Sequence, residues 1–362
     1  MMTRDQLDPV ARQIDQACGI PASGVMIHCT HTHHAPSTMR VHGYDRDEVF
    51  SKRVQEGIVK AVKAANVDLA DATFHFAEGE EKTVGQNSRL MLSDGKIYWS
   101  GTRDDAVRPT GPFDPELPVL AFRGPGNQLK ALLFNHSTHT IGALTGNVRS
   151  PAFYGMVAQE LEPELGGTVV FLEGASGSTH RLNLSGAEAA ERIKKAVLGT
   201  LGRAEPRKVD RLVAVKRPFT FKVRTFDEAA EDRAVSDYCS KRMGRHAQSI
   251  IDVFRQMRSE LAPHQGEERT TWLQAILIGD VAIVGVPAEF FTKFGIDIKR
   301  RSPFPHTYVA ELSNDWIGYT PDLEAHKLGG YQVWTGLHSY GEPGTGERIV
   351  DEVVGMLEEI GR

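Results

Sequence analysis

Cysteine is scarce in this 362-residue chain: Cys18, Cys29 and Cys239 form an odd set with no CxxC spacing. That excludes a disulfide framework and a cysteine-based zinc module, and it fits a reducing compartment, so a cytoplasmic location is expected. Long apolar runs are missing too. None approaches the roughly 20 residues of a membrane-spanning helix, so no stable membrane insertion is expected. The opening "MMTRDQLDPVARQIDQACG" has the pattern of a polar amphipathic helix and no signal-peptide core. Nor does one sign of charge dominate, with 42 Lys and Arg against 47 Asp and Glu and a net charge of −5. The basic stretches, Lys299-Arg300-Arg301 and 208–224, are interleaved with acids or apolar residues. They read as solvated faces, and no nucleic-acid partner is expected. Repeats, low-complexity segments and an obvious linker are likewise missing.

What is present is ordinary globular material, 40% hydrophobic and 25% charged. Short runs rich in β-branched or aromatic residues predict strands over 24–29, 118–123, 129–135, 168–172, 211–223, 272–278, 281–286 and 307–312. The turn "RGPGNQ" (123–128) makes 118–135 a hairpin. Helical periodicity predicts helices over 5–18, 47–65, 153–163, 185–203, 227–262, 289–301 and 346–361. The last carries Ile349, Val350, Val353, Val354, Leu357 and Ile360 on one face. Strands alternating with helices, plus a hairpin, predict an α/β fold with a mixed β-sheet core flanked by helices. A single domain over 1–362 is expected, with 227–262 as a helical insertion or cap.

Histidine is concentrated where the chemistry is expected. "VMIHCTHTHHAP" (25–36) holds His28, His31, His33 and His34 of the chain's 14 histidines. If the strand continues through it, His31 and His33 share one face by their i, i+2 spacing, and His28 and His34 face elsewhere. "LLFNHSTHT" (132–140) offers His136 and His139 at a second strand end. In "VAIVGVPAEFF" (281–291) a strand stops at Pro287 and Glu289 is expected to open the next helix; in "VAELSNDWIGYTP" (309–321) a strand runs toward Tyr319. Ligands in open α/β sheets gather at the carboxyl ends of strands, and two histidines with a glutamate form a zinc set that leaves room for water. The alternative for each residue taken alone is structural: a satisfied core histidine, or a carboxylate compensating a helix dipole.

Two other stretches weigh less. "FLEGASGS" (171–178) lacks the second glycine of a nucleophile elbow, so Ser176 is a weak nucleophile candidate and the loop reads as a small-residue turn beside the same pocket. "GEPGTGER" (341–348) has Glu347 where a phosphate-binding loop needs lysine, and reads as a loop before a helix.

Taken together, "THTHHAP" (30–36), "FNHSTHT" (134–140), "VPAEFFTKFG" (286–295) and "LSNDWIGYTPDLEAHKLGGY" (312–331) resemble, in this order, the neutral/alkaline non-lysosomal ceramidase family. The resemblance spans roughly residues 10–345. It implies zinc (Zn2+) bound by His31, His136, Glu289 and Tyr319, with a tyrosinate made reasonable by the cation. It implies that His33 handles the proton or the oxyanion of the reacting carbonyl, that Tyr331 is a second active-site tyrosine, and that Arg89 of "GQNSRLMLSDG" faces the substrate.

The chain departs from that pattern in three places. His180 of "GSTHRLN" (177–183) stands where the family has a serine, which argues against a serine acyl-enzyme and leaves attack by activated water. The chain ends soon after the catalytic region, without the family's immunoglobulin-like domain, which places it nearer the short bacterial branch. The family's strands ahead of the first histidine motif are not in this sequence: either the start codon is miscalled, or the protein does without that part of the sheet, leaving an edge open to a partner chain. The expected function is therefore a zinc-dependent hydrolase of a small-molecule substrate, cleaving a linear amide, in a possible homo-oligomer. The alternatives are hydrolysis of an ester, lactone or sugar-derived linkage, or a non-catalytic zinc-binding protein.

Overall fold

The structure is a computed structural model, which describes residues 1–141, 148–181 and 183–362. The α/β class with mixed sheets flanked by helices is what it shows, with two main sheets in place of one. In the first sheet the strand order is Thr168–Glu173, Leu129–His136, Glu116–Arg123, Thr73–Glu80, Glu205–Arg207; only the pair formed by Leu129–His136 and Thr168–Glu173 is parallel. In the second the order is Leu212–Lys222, Glu268–Ile278, Val281–Gly285, His306–Ala310, and only the last pair is parallel.

Strand alternation explains why the two sheets stack. Leu117, Val119 and Ala121 pack under the helices Ala152–Leu165 and Gly186–Leu201, whereas Leu120 turns to the other face and meets Phe74, Phe76, Val281, Ile283 and Tyr308. On the second sheet Ala282 and Val284 point away from that layer, into a core shared with Thr292–Arg301 and Thr345–Gly361. The resulting order is helices, sheet, sheet, helices, with an apolar layer in each of the three gaps. A run such as 117–121, buried on both faces, reads as one continuous hydrophobic strand and hides the second sheet from the sequence.

Three expectations are corrected. The segment 24–29 forms no strand: a short 3-10 turn spans Ala22–Gly24, and His28 makes only an isolated bridge to Ser313. The stretch 227–262 is two helices, Glu228–Arg242 and Ala247–Leu261, broken at Gly244, where the backbone turns left-handed (φ 51°). The strand Thr73–Glu80 is additional, its apolar signal being little more than Phe74 and Phe76 in alternation. At the amino end, Arg4–Cys18 and Glu48–Val67 pack together through Leu7, Val10, Ile14, Val54 and Ile58. The N–H of Arg4 donates to Asp315 Oδ1 (2.8 Å), tying this pair of helices to the loop that carries Trp316. Among the described residues no helix is long and apolar enough to cross a membrane.

Candidate metal centre

Four loops converge at one end of the sheets. His31 sits in the irregular segment after the bridge at His28, its backbone in the left-handed region (φ 57°) although it is not glycine. Such a conformation persists only where the surroundings fix it, and here Thr140 Oγ1 donates to the His31 carbonyl at 2.6 Å. His139 follows the strand Leu129–His136 and is bridged to His180, with the two rings stacked 4.3 Å apart. Glu289 lies in a two-residue strand, Glu289–Phe290, not at a helix start; the helix begins at Thr292. That short strand pairs in parallel with Tyr319–Thr320, so Glu289 and Tyr319 are cross-strand neighbours. The close backbone approach there has a steric condition: a Cβ on Gly177 would lie 2.4 Å from the Glu289 carbonyl oxygen.

The side chains meet. His31 Nε2 is 3.8 Å and His139 Nε2 4.0 Å from Glu289 Oε2, and His33 Nε2 is 3.2 Å from His139 Nε2. Glu289 also accepts from Trp316 Nε1 at 3.0 Å and hydrogen-bonds the Tyr319 side chain. His31, His139, Glu289 and Tyr319 are all buried. Burial pushes Glu289 up to about 7. It holds His31 and His139 well below the usual imidazole range, with neighbouring imidazoles lowering them further. Burial, and then the adjacent Glu289 charge, raises Tyr319 well above the usual phenol. Neutral imidazoles, a carboxylate and a phenol are the donors that suit zinc, and His31 Nε2 is a buried nitrogen with no hydrogen-bond partner. His31, His33 and His139 bring ligand atoms within 4.8 Å of one another, close enough to hold one metal ion.

Other predicted residues are elsewhere. His136 is fully buried but outside this group: Nδ1 faces the Tyr154 hydroxyl (2.6 Å) and Nε2 the Glu81 carbonyl (3.1 Å), so both ring nitrogens are occupied. His139, three residues on, stands where His136 was expected. Arg89 is buried away from the centre, donating to Gln332 Oε1 (2.9 Å) and the Gly329 carbonyl (2.7 Å) across the ring of Phe291. Ser176 is fully buried between two carboxylates, Glu173 and Glu311, which removes it as a nucleophile candidate. His28 is structural, with Nδ1 on the Glu311 carbonyl and Nε2 accepting from the Glu173 N–H.

The centre opens into a cavity of about 940 Å³. His33, His180, Tyr319 and Tyr331 line it, and Glu289 is the only Asp, Glu, Lys or Arg among the described lining residues. The Tyr331 ring stacks on Trp99 (4.6 Å, 1°), and its hydroxyl bonds His42 Nε2 at 2.9 Å. Neither Trp99 nor His42 stood out in the sequence, since an isolated tryptophan or histidine carries no spacing signal.

No family model and no curated protein matches the chain. Among solved structures it is similar to the neutral ceramidase from Pseudomonas aeruginosa, with a TM-score of 0.72 at 17% identity, covering 99% of this chain and 65% of that one. It is equally similar to a ceramidase complexed with C2, with a TM-score of 0.72 at 16% identity, covering 99% of this chain and 66% of that one. The fold is therefore ceramidase-like, on a chain that spans about two thirds of those structures' length.

Proposed function

We propose that this protein is a zinc-dependent hydrolase that cleaves a linear amide. The observation that carries the reading is the convergence of His31, His139 and Glu289, with Tyr319 beside them, on the wall of a large cavity. In this reading those four residues hold the ion. A zinc ion supplies a Lewis acid for the carbonyl and a water whose pKa falls to about 7.

This chain's own residues supply the rest. His33 is the most exposed imidazole of the cluster and lines the cavity, and in this reading its ring, which leaves His139 Nε2 when a substrate enters, carries the proton transfer. The Tyr331 hydroxyl, on the same cavity wall, donates to a developing oxyanion. His180 in place of a serine, stacked on His139, leaves no hydroxyl at that position to form an acyl-enzyme. A lining whose only Asp, Glu, Lys or Arg is Glu289 favours a substrate whose scissile region is uncharged. The likeness to ceramidases supports an amide as the bond.

Metal analysis of the purified protein, followed by a hydrolysis screen of acyl amides, esters and glycosides, tests the proposal. Zinc at one equivalent and turnover of amides are expected, with both lost in His31→Ala and Glu289→Gln. If both variants keep full zinc and full activity, the assignment is wrong.

A further inference from the structure

Beneath His31, on the side away from the cavity, lies a polar cluster that the reaction above does not use. His31 Nδ1 is 3.2 Å from Glu173 Oε2, and both atoms are buried with no hydrogen-bond partner among the described residues, so a small rotation of either group is enough to join them. Glu173 Oε1 is 3.0 Å from Ser176 Oγ, which is 2.7 Å from Glu311 Oε1. Glu311 Oε2 in turn accepts the backbone N–H of Ser176 (2.9 Å) and of Phe290 (2.8 Å). Glu173, Ser176 and Glu311 are all fully buried. Phe290 is the residue after Glu289, so the cluster is anchored to the strand that carries the carboxylate donor.

An imidazole has one N–H and one lone pair when neutral, and the partner at one nitrogen decides which the other presents. We infer that Glu173, braced by Ser176 and Glu311, is a positioning residue that accepts the Nδ1–H of His31 and thereby turns the Nε2 lone pair toward Glu289 and the cation. The inference rests on the metal reading above. Ser176 holds the Glu173 carboxylate in place from one side, and the two backbone N–H groups fix Glu311 from the other. The left-handed backbone of His31 fits the same function, because it delivers the ring between the two carboxylates.

A competing arrangement puts a cation on the Nδ1 side, since His31, Glu173 and Glu311 also bring ligand atoms within 4.8 Å of one another. Two features argue against it. The Glu311 oxygens are already engaged by Ser176 and two backbone N–H groups, and neither Glu173 nor Glu311 lines the cavity through which an ion arrives.

Zinc dissociation constants, measured by competition with a chromophoric chelator, distinguish these cases, with the visible spectrum of the cobalt-loaded protein reporting donor geometry. The set is wild type, Glu173→Gln, Ser176→Ala and Glu289→Gln, each first shown to be folded by circular dichroism. Glu173→Gln is expected to bind zinc about 10- to 100-fold more weakly, as losses of partners to metal-bound histidines do. Ser176→Ala, which keeps both carboxylates, is expected to show a smaller loss and carries the test if Glu173→Gln does not fold. Wild-type affinity in both variants overturns the inference while a weakened Glu289→Gln leaves the metal reading standing. Binding lost in Glu173→Gln but kept in Glu289→Gln places the cation on the Nδ1 side and also overturns it. A wild type that takes up no zinc overturns the metal reading itself, and the positioning function with it.

Discussion

His33 Nε2 lies 3.2 Å from His139 Nε2, although 106 residues separate the two in the chain. The contact places His139, of the two histidines in "FNHSTHT", beside the other imidazoles of the proposed centre. His139→Ala is expected to abolish stoichiometric zinc binding. His136→Asn is expected to retain zinc while losing roughly 1–3 kcal/mol of stability, because the Tyr154 hydroxyl and Glu81 carbonyl lose their buried partner. Zinc content and denaturant unfolding of the two variants check this, and equal zinc loss in both would contradict it.

Zinc affinity is expected to depend on pH through Glu289. Burial pushes this carboxyl up to about 7, so below that pH a proton occupies the oxygen that the cation needs. His31 and His139, held well below the usual imidazole range, stay neutral over the same interval and add little to the slope. The apparent affinity should therefore fall by about tenfold per pH unit below pH 7 and level off above it. Chelator competition between pH 5.5 and 8.5 measures it; a flat profile is the contrary result.

Arg89 is expected to matter for stability and little for substrate. Its guanidinium is committed to Gln332 Oε1 and the Gly329 carbonyl, and it is absent from the cavity wall. Arg89→Met should cost on the order of 2 kcal/mol, the usual loss for charged hydrogen bonds to buried groups. KM on whichever substrate the screen finds should stay near the wild-type value. A large rise in KM without destabilisation would return Arg89 to the substrate.

Lys299 holds two acids together, with Nζ 2.6 Å from both Asp114 Oδ2 and Glu116 Oε2 in a mostly buried setting. It links the helix Thr292–Arg301 to the first sheet, across the edge of the second. Lys299→Met leaves two carboxylates side by side without a counter-ion, and a loss of roughly 3 kcal/mol is expected. Thermal unfolding reads this directly, and an unchanged melting temperature is the contrary result.

Much of the architecture was legible in the sequence because its signals are local. The hairpin at 118–135 and the apolar face of Thr345–Gly361 appear where their patterns lie. The second sheet is hidden because continuous burial of 117–121 does not say how many layers surround a strand. Three of the four proposed ion-holding residues, His31, Glu289 and Tyr319, are ones that the family resemblance implies from its motifs. The resemblance points to His136 and the fold presents His139: both occupy one short motif, and periodicity cannot say which turns inward past the strand's end. Strand alternation does not pair His31 with His33, because the segment is not a strand; the left-handed backbone at His31 orients its ring instead. Glu173 and Glu311 carry no sequence signal, since a buried acid at or just past a strand's end looks like any surface acid until the fold closes around it.

The proposed ion-holding residues hang from two different sheets: His139 follows a strand of the first, while Glu289 and Tyr319 follow strands of the second. Their spacing is therefore set by how the two layers sit against each other, through Phe74, Phe76, Ile283 and Tyr308 between them. Repacking that distant filling, without touching any residue of the centre, would act as a dial on the grip of the ion.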